Sequence, residues 1–271
     1  MLPVQTVSVR DAQLAHVDSG PAAGDTFVLS HSLFFDHTMF DPLTELLVAA
    51  GHRVVAYDHR GQGASSTATR AEQTMDELTA DAAGLIEALD LPRVHFVGNS
   101  MGGFVALRLA ARRPDLLKSV AALGSSAEEE YQLEAFAPLV EQLGLRGGAP
   151  LIDSLLHIMF GDSSLAAGGS LIEHWSGKMS ALTGAIGDSA HNVIYRERIV
   201  EELADCPVPV IAIAGAEDHA YPPPISDRNI AAATGGEHHA VPGAGHSVAL
   251  EQPGPVAEIL LASLPRRSVQ D

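Results

Sequence analysis

The segment with the clearest chemical potential is Gly98-Asn99-Ser100-Met101-Gly102. A serine that acts as a nucleophile must project from a very tight turn between a strand and a helix, where a bulky residue two positions away would collide with the backbone. Gly98 and Gly102 occupy those two positions. The chain contains 25 glycines, so the same spacing can also arise by chance at an ordinary strand-to-helix corner.

The residues on either side of this segment favour a nucleophile over an ordinary corner. Residues 94–97 have the β-branched and aromatic character of a strand that is buried in a parallel sheet. Gly103, Ala106 and Ala110 would give a following helix a face of small residues that packs closely on the sheet. Strand, tight turn and helix therefore follow in the order that a nucleophilic Ser100 requires.

Two further residues, Asp218 and His246, could activate this serine. A serine hydroxyl is a weak nucleophile at neutral pH, so it needs a nearby base and a carboxylate that fixes the tautomer of that base. Asp218 and His246 each follow a predicted strand, and the carboxyl ends of parallel strands meet at one edge of a sheet. The chain has 13 histidines, so the alternative for His246 is a solvated loop residue. The preceding glycines at 243 and 245 favour the catalytic role.

Two other carboxylates compete with Asp218 for the role of the acid. Glu217 is its neighbour, but alternation at the end of a strand should direct the two side chains to opposite sides. The second possible position follows the predicted strand at residues 119–123, where the chain offers no carboxylate until Glu128. We therefore prefer Asp218, against the alternative that it only caps a loop.

Acyl transfer also needs two backbone N–H groups that point at the developing oxyanion. Met101 N–H is one candidate, because the turn presents it at the start of a helix, whose N-terminus favours negative charge. Leu33 N–H is the other, because the loop His31-Ser32-Leu33 leaves a neighbouring predicted strand on the required side. The alternative is an ordinary connecting loop.

Alternating strand-like and helix-like segments surround these residues and predict an α/β fold. The first two strands, joined by a turn at Arg10-Asp11, should form an antiparallel start to the sheet. Strands are predicted at residues 4–9, 14–18, 27–30, 54–57, 94–97, 119–123, 208–214 and 237–241. Helices are predicted at residues 38–50, 74–89, directly after Ser100, at 225–234 and at 255–264.

The alternation stops between residues 128 and 202, where apolar residues recur at helical spacing without strand signals. We interpret this segment as an inserted helical cap on a core made of residues 1–127 and 203–271. The cap should supply apolar residues to a substrate pocket, although the same residues could instead pack the cap's own core. The predicted substrate-binding residues are His31, Phe34, Leu133, Phe136, Leu156, Met159, Trp175 and Met179.

The composition argues against several classes of protein. The 34 acidic and 16 basic residues give a net charge of −18, which opposes binding to nucleic acids and to anionic lipids. Cys206 is the one cysteine, so we expect neither an internal disulfide nor a cysteine metal cluster. The first residues lack the pattern of a secretory signal, and no apolar run has membrane-spanning length. We expect a cytoplasmic protein that binds neither nucleic acid nor membrane.

Together these motifs resemble those of the α/β-hydrolase superfamily, over nearly the whole chain apart from the predicted cap. The chain order Ser100, Asp218, His246 is the order of that superfamily. The loop at residues 31–33 is similar to its histidine-glycine oxyanion loop, with serine at 32 as in 3-oxoadipate enol-lactonases. Residues 58–65 resemble the family's D-x-R-G-x-G-x-S turn, and residues 245–253 resemble its histidine loop. The branches most similar in these motifs are the 3-oxoadipate enol-lactonase-like hydrolases and the small carboxylesterases.

The resemblance implies a mostly parallel central sheet flanked by helices, and a serine hydrolase without metal or organic cofactor. Such an enzyme would cleave a small-molecule carboxylic ester or lactone through an acyl-enzyme. The same residues could also support cofactor-free perhydrolysis, as in haloperoxidases, or hydrolysis of a carbon–carbon bond. An alternative of another class is a ligand receptor on the hydrolase scaffold.

The basic residues give an expectation for the charge of the substrate. A carboxylate-bearing substrate would need a buried cation, preferably an arginine that binds both oxygens. Arg60 lies in a tight loop that suggests a structural role. The predicted cap offers Arg146, Lys178, Arg196 and Arg198, and none of these is an obvious clamp for a carboxylate. Arg196 and Arg198 flank Glu197 in a segment that we expect to be solvated. We therefore expect neutral, moderately apolar esters or lactones to be preferred.

Overall fold

Eight strands form one mixed sheet in the computed structural model, which describes residues 3–264. Their spatial order is β1-β2-β4-β3-β5-β6-β7-β8; β2 is antiparallel to β1 and β4, and the other neighbours are parallel. The predicted α/β class, with an antiparallel start to a mostly parallel sheet, is confirmed. The strands are β1 (Gln5–Val9), β2 (Ala12–Ser19), β3 (Thr26–Ser30), β4 (Arg53–Tyr57), β5 (Val94–Asn99), β6 (Leu117–Leu123), β7 (Val210–Gly215) and β8 (Glu237–Val241).

Helices connect the strands and cover the sheet. Outside the segment between β6 and β7 they are α1 (Asp41–Ala49), α2 (Met75–Ala88), α3 (Met101–Arg112), α10 (Arg228–Thr234), α11 (Val248–Glu251) and α12 (Pro253–Ala262). Between β6 and β7 the described chain has only helices and loops: α4 (Leu133–Arg146), α5 (Ile152–Met159), α6 (Asp162–Ala167), α7 (Gly169–Ser180), α8 (Ile186–Ile194) and α9 (Val200–Leu203). These six helices occupy the segment interpreted as a cap, while the domain boundaries at 127/128 and 202/203 remain a prediction.

Proline explains two boundaries that differ from the prediction. β7 begins at Val210 rather than at residue 208, because Pro209 has no N–H to donate to a neighbouring strand. The helix predicted at 225–234 begins at Arg228, after a run of three prolines. Its first N–H group is capped by the Asp227 carboxylate at 2.6 Å.

The parallel strands β3, β5 and β7 are buried along their whole length, because helices pack on both faces of the sheet. In the parallel register Ser30 pairs with Gly98, and Gly215 pairs with Val241. The loops after β3, β5, β7 and β8 therefore all leave the same edge of the sheet, which is the place of ligand sites in open α/β sheets. Within residues 3–264, no helix combines the length and the hydropathy needed to cross a bilayer.

Candidate active site

Ser100 lies at the apex of a sharp turn between β5 and α3. Its backbone has φ of 52° and ψ of −111°, a region that residues with a side chain rarely adopt. A Cβ at Gly98 would come within 2.0 Å of the Gly102 carbonyl oxygen, and a Cβ at Gly102 within 2.0 Å of the Ser30 carbonyl oxygen. The two glycines are therefore required by close backbone approach, as their spacing predicts.

His246 and Asp218 form a buried pair at the same edge of the sheet. The Nδ1 atom of His246 lies 3.0 Å from Oδ2 and 3.1 Å from Oδ1 of Asp218. Oδ1 also accepts the backbone N–H groups of Ala220 at 2.7 Å and Tyr221 at 2.9 Å. A carboxylate that accepts these N–H groups holds a proton on His246 Nδ1 and leaves Nε2 as the basic nitrogen.

Ser100 and His246 both face one cavity. Within the described residues, the Ser100 hydroxyl does not donate a hydrogen bond to His246. Catalytic hydrogen bonds are often loose in unliganded enzymes and tighten when the substrate binds. The two competing carboxylates have other partners: Glu217 accepts Ser163 N–H at 2.7 Å, and Glu128 pairs with an arginine, Arg198, at 3.3 Å.

The two candidate oxyanion donors are the backbone N–H groups of Leu33 and Met101. Leu33 lines the cavity in a turn closed by a 3.2 Å hydrogen bond from Phe35 N–H to the Ser32 carbonyl, with Phe34 at a φ of 73°. Met101 is the first residue of α3. Within residues 3–264 neither N–H group donates to a protein acceptor, so both are available to a ligand oxygen.

The cavity is lined almost entirely by apolar side chains and encloses about 500 Å³ of space between atoms, part of it open to solvent. No charged side chain is among the described lining residues. Helices α4, α5 and α8 form the wall that faces Ser100. Besides Ser100 and His246, the lining consists of Leu33, Phe34, Phe136, Leu139, Val140, Leu143, Ile158, Met159, Ala190, Val193, Ile194, Ala220 and Tyr221.

Three of the eight predicted substrate-binding residues, Phe34, Phe136 and Met159, line this cavity. The other five lie elsewhere: His31, Leu133, Leu156, Trp175 and Met179. Leu133 and Leu156 are partly buried, and Met179 is fully buried in the core. Trp175 packs on Phe35 with ring centroids 4.5 Å apart. Helical spacing identified buried faces of these helices but not the part of each face that borders the cavity.

His31 supports the loop at residues 31–33 from inside the protein. Its ring is fully buried, with Nδ1 2.8 Å from the Ser32 carbonyl oxygen, and Nε2 accepts the His59 backbone N–H at 3.0 Å. Burial lowers the pKa of His31, which keeps this imidazole neutral. Both ring nitrogens are thus used within the protein.

Asn99 is a site residue that the sequence did not single out. Its side-chain Nδ2 donates to Ser32 Oγ at 2.9 Å and to the His246 carbonyl oxygen at 2.8 Å. The amide thereby joins the oxyanion loop, the nucleophile turn and the histidine loop. A signal was present, since an asparagine at the end of an otherwise apolar buried strand needs hydrogen-bond partners.

Arg196 contradicts the expectation that residues 196–198 are solvated. Its side chain is 1% exposed and contacts the Glu130 carboxylate and the Tyr221 hydroxyl, each at 3.1 Å. The guanidinium also lies 4.0 Å from the ring centroid of Phe104. Its partner Glu130 is the last of three consecutive glutamates at residues 128–130. The sequence does not show which of the three is buried, so it did not identify Glu130 as the partner.

The other basic residues considered for substrate binding are paired or exposed. Arg60 forms ion pairs with Asp81 at 2.7 Å and Asp11 at 2.8 Å, which agrees with the expected structural role. Lys178 pairs with Asp36 at 2.6 Å, and Arg146 is exposed. Consequently none of them presents a free charge to the cavity among the described residues.

Two groups of side chains have the composition and proximity of metal ligands. One consists of His157, Asp162 and His219, and the other of Asp36, His37 and Asp58. Both groups lie outside the set of Ser100, Asp218 and His246.

Comparison with known proteins agrees with this architecture. The sequence pattern of the Alpha/beta hydrolase family matches residues 27–259. The chain is 30% identical to 3-oxoadipate enol-lactonase 1 of Acinetobacter baylyi over 202 residues, 74% of each chain. It is 27% identical to a protein of Pantoea ananatis named as a carbamate hydrolase, RutD, over 91% of this chain and 90% of the relative. The crystal structure of an enol-lactonase from Burkholderia xenovorans LB400 superposes with a TM-score of 0.86 at 25% identity, covering 95% and 98% of the two chains.

Proposed function

Because the chain belongs to the alpha/beta hydrolase family, we propose that it is a serine hydrolase of carboxylic esters or lactones. The observation that carries this proposal is that Ser100, on a strained turn, lines one apolar cavity together with His246, whose imidazole is paired with Asp218. The relatives named as enol-lactonase and carbamate hydrolase support it, since both names describe attack on a carbonyl that bears a heteroatom leaving group.

In the proposed reaction, Ser100 Oγ attacks the substrate carbonyl while His246 Nε2 takes its proton. Asp218 holds the imidazole in the required tautomer and stabilises the imidazolium that forms. The N–H groups of Leu33 and Met101 bind the oxyanion of the tetrahedral intermediate. His246 then donates the proton to the leaving alcohol oxygen, which leaves an acyl-enzyme. A water molecule, deprotonated by His246, attacks the acyl-enzyme, and collapse of the second intermediate releases the acid and restores Ser100.

The lining favours a neutral substrate with a moderately apolar acyl group. A carboxylate placed against these side chains would lose its hydration without gaining a cation, which costs several kcal/mol. An apolar acyl chain gains about 0.8 kcal/mol for each methylene that it buries there. The preferred substrate proposed for this chain therefore differs from lactones that carry a free carboxylate, such as the enol-lactone of 3-oxoadipate.

The first prediction is that Ser100→Ala abolishes hydrolysis of the best ester or lactone in a panel of neutral substrates. The expected loss in kcat is at least about 10³-fold, because the oxyanion donors and the binding cavity alone give only residual catalysis. An unchanged circular dichroism spectrum checks the fold of the variant. Ser125→Ala serves as the matched control, since this hydroxyl donates to the Ser100 carbonyl at 3.1 Å but does not line the cavity. Turnover by Ser100→Ala within tenfold of the parent rejects the nucleophile.

The alternative reactions have different products and can be measured on the same protein. Perhydrolysis is detected as a peracid formed from acetate and hydrogen peroxide, and carbon–carbon hydrolysis as loss of the chromophore of a vinylogous diketone. A receptor would give a burst of one equivalent from an aryl ester followed by almost no steady-state turnover. Steady multiple turnover on esters or lactones, greater in kcat/KM than on these probes, supports the proposal.

A further inference from the structure

Three side chains with metal-binding chemistry meet outside the cavity. His157 lies in the last turn of α5, Asp162 is the first residue of α6, and His219 lies in the loop after β7. One ligand atom of each lies within 4.8 Å of the other two. The Asp162 side chain is 80% exposed and that of His219 is 24% exposed, so an ion can reach them from solvent. Two imidazoles and a carboxylate suit a borderline divalent cation such as Zn²⁺.

The hydrogen bonds of His219 determine which of its nitrogens is available. Nδ1 lies 2.6 Å from the backbone carbonyl oxygen of His157, which is an acceptor, so Nδ1 carries a proton. Nε2 is then the nitrogen that faces Asp162 Oδ1, at 3.3 Å. The two atoms can pair directly when Nε2 carries a proton, and they can share a divalent cation when it does not. A histidine that donates one N–H to a carbonyl and offers the other nitrogen has the arrangement typical of metal ligands.

The distance between the ligand atoms of His219 and Asp162 fits a tetrahedral ion. For bonds of about 2.0 Å from zinc to nitrogen and to oxygen, donors 3.3 Å apart subtend about 110° at the metal. The His157 ring stacks on the His219 ring with centroids 4.0 Å apart and planes inclined by 23°. Its ligand nitrogen lies within 4.8 Å of the other two ligand atoms, so rotation of this exposed side chain brings it to the same ion, and water can fill the fourth position.

Hydrogen bonds hold the segment that carries Asp162 against the core without any metal. Glu217, which directly precedes Asp218, accepts Ser163 N–H at 2.7 Å and the Ser163 hydroxyl at 2.6 Å. Glu251, in the histidine loop, accepts Gly161 N–H at 2.9 Å and the Ser164 hydroxyl at 2.6 Å. The backbone positions of the ligands are thus set in advance, and little conformational entropy has to be lost on binding.

The second group with ligand composition differs in a decisive way. His37 Nδ1 already donates a proton to Asp58 at 2.8 Å, and the ammonium of Lys178 lies 2.6 Å from Asp36. The carboxylates of this second group are thus already paired with side chains of the protein itself. The group of His157, Asp162 and His219 contains no lysine, and its ion pair joins His219 to Asp162 at 3.3 Å.

We propose that His157, Asp162 and His219 bind one divalent transition-metal ion, for which Zn²⁺ is the probe, outside the cavity. The bound ion ties the connection between α5 and α6 to the residue that follows Asp218. This inference does not depend on the proposed hydrolase activity, because the ligands neither line the cavity nor contact Ser100. The net charge of −18 further favours cation binding.

The test is a calorimetric titration of the full chain, without an affinity tag and after EDTA treatment and dialysis, with ZnCl₂ in a non-chelating buffer. We expect one site with a Kd of about 10 µM or tighter. His157→Ala and Asp162→Asn should each weaken binding at least about tenfold. The matched control is His238→Ala, an exposed histidine on β8, which should leave Kd unchanged.

A second readout is thermal stability, since a ligand that binds only the folded chain stabilises it. At a free Zn²⁺ concentration of about 100 times Kd, Tm should rise by about 5 °C in the parent and in His238→Ala. The rise should be lost in His157→Ala and Asp162→Asn. The absence of saturable binding by the parent, or an equal Kd in the parent and both ligand variants, would overturn the proposal.

Discussion

Asp218 differs from the neighbouring acid in the hydrogen bonds that its carboxylate accepts. It receives His246 Nδ1–H and the N–H groups of Ala220 and Tyr221, all from buried groups. Glu217 instead accepts the N–H and the hydroxyl of Ser163. Although the two residues are adjacent, only Asp218 can set the tautomer of the imidazole.

We therefore predict that Asp218→Asn folds but loses about 10³- to 10⁴-fold in kcat. The asparagine amide can donate to Nδ1, which moves the imidazole proton to Nε2 and removes the base. Steady-state kinetics on the best neutral ester or lactone measures the loss. Glu217→Gln is the control and should stay within threefold of the parent, because it removes only contacts with α6. A large loss of kcat in Glu217→Gln, together with a kcat near that of the parent in Asp218→Asn, would show that the acid is misassigned.

Ser32 occupies a position at which the oxyanion loop of the superfamily has glycine. Its hydroxyl accepts from Asn99 Nδ2 at 2.9 Å and lies 3.3 Å from the Asn99 carbonyl oxygen. Since Asn99 precedes Ser100, the hydroxyl fixes the oxyanion loop to the nucleophile turn. The serine is thus compatible with an oxyanion donor at the next residue, Leu33.

Among the elements, the loop after β7 is held by a buried charge network that reaches it from the segment between β6 and β7. Arg196, between α8 and α9, contacts Glu130, before α4, and the Tyr221 hydroxyl, which donates to the same Glu130 carboxylate. Tyr221 in turn supports Asp218 through its backbone N–H and packs 5.5 Å from the His246 ring centroid. The segment between β6 and β7 therefore helps to position Asp218 and His246.

Removing one charge of this network should be far more costly than removing an exposed one. We predict that Glu130→Gln lowers the free energy of unfolding by about 3 kcal/mol, because it leaves the Arg196 guanidinium buried without a counter-charge. Glu87→Gln, which removes an exposed partner of Arg113, should change it by less than about 1 kcal/mol. Urea unfolding measures both variants.

A double variant separates the cost of an unpaired charge from other causes. Glu130→Leu combined with Arg196→Met should recover most of the loss, because the packed apolar pair leaves no buried ion. Equal stability of Glu130→Gln and Glu87→Gln would show that the buried pair is not a significant source of stability.

For the molecule as a whole, the buried histidines govern how stability responds to acid. Burial lowers the pKa values of His16, His31 and His59, and lowers that of His95 to about 4. In the unfolded chain these groups titrate near 6.5, so between about pH 4 and 6.5 unfolding takes up protons. Their contribution to stability is therefore fully present above about pH 6.5 and is lost as the pH falls. His37 acts in the opposite sense, because the hydrogen bond to Asp58 raises its pKa.

We predict that the free energy of unfolding falls between pH 7 and pH 5, and that His95→Asn reduces this fall by about 2 kcal/mol. The reason is that a buried neutral imidazole no longer has to gain a proton on unfolding. Urea unfolding of the parent and of His95→Asn at both pH values measures the two falls. The effects of overall charge and of His37 are the same in both proteins, so they cancel when the two falls are compared. Replacement of the exposed His238 by asparagine should leave the fall as it is in the parent. An identical fall in His95→Asn and the parent would contradict the inference that the buried, neutral His95 makes the protein less stable in acid.

The net negative charge of the whole chain and the uncharged cavity both disfavour a negatively charged substrate. We predict that a neutral lactone has a kcat/KM at least tenfold above that of its carboxylated analogue, because the anion meets a net charge of −18 and no cation in the described lining. Higher salt should narrow this difference in kcat/KM, because it screens the long-range repulsion between the chain and the anion. A carboxylated substrate preferred tenfold, with that preference lost on substitution of Arg196 or Lys178, would instead favour an enol-lactonase specificity.

Much of this arrangement can be predicted from the amino-acid order, because local chemistry constrains it. Alternating strand and helix signals specify a parallel sheet, and residues after parallel strands must share an edge, so Ser100, Asp218 and His246 could be grouped in advance. Gly98 and Gly102 follow from the space that a tight turn allows. These inferences need only neighbours in the chain and the geometry common to all such sheets.

The lining of the cavity and the buried charges depend instead on packing between distant segments. Helical periodicity marks an apolar face, but it cannot distinguish Trp175, buried against Phe35, from Val140, which borders the cavity. The charge of Arg196 predicts exposure until Glu130, 66 residues away in the chain, supplies its partner. Because burial of a charge depends on a counter-charge brought in by the fold, these features were decided by tertiary contacts and not by local sequence.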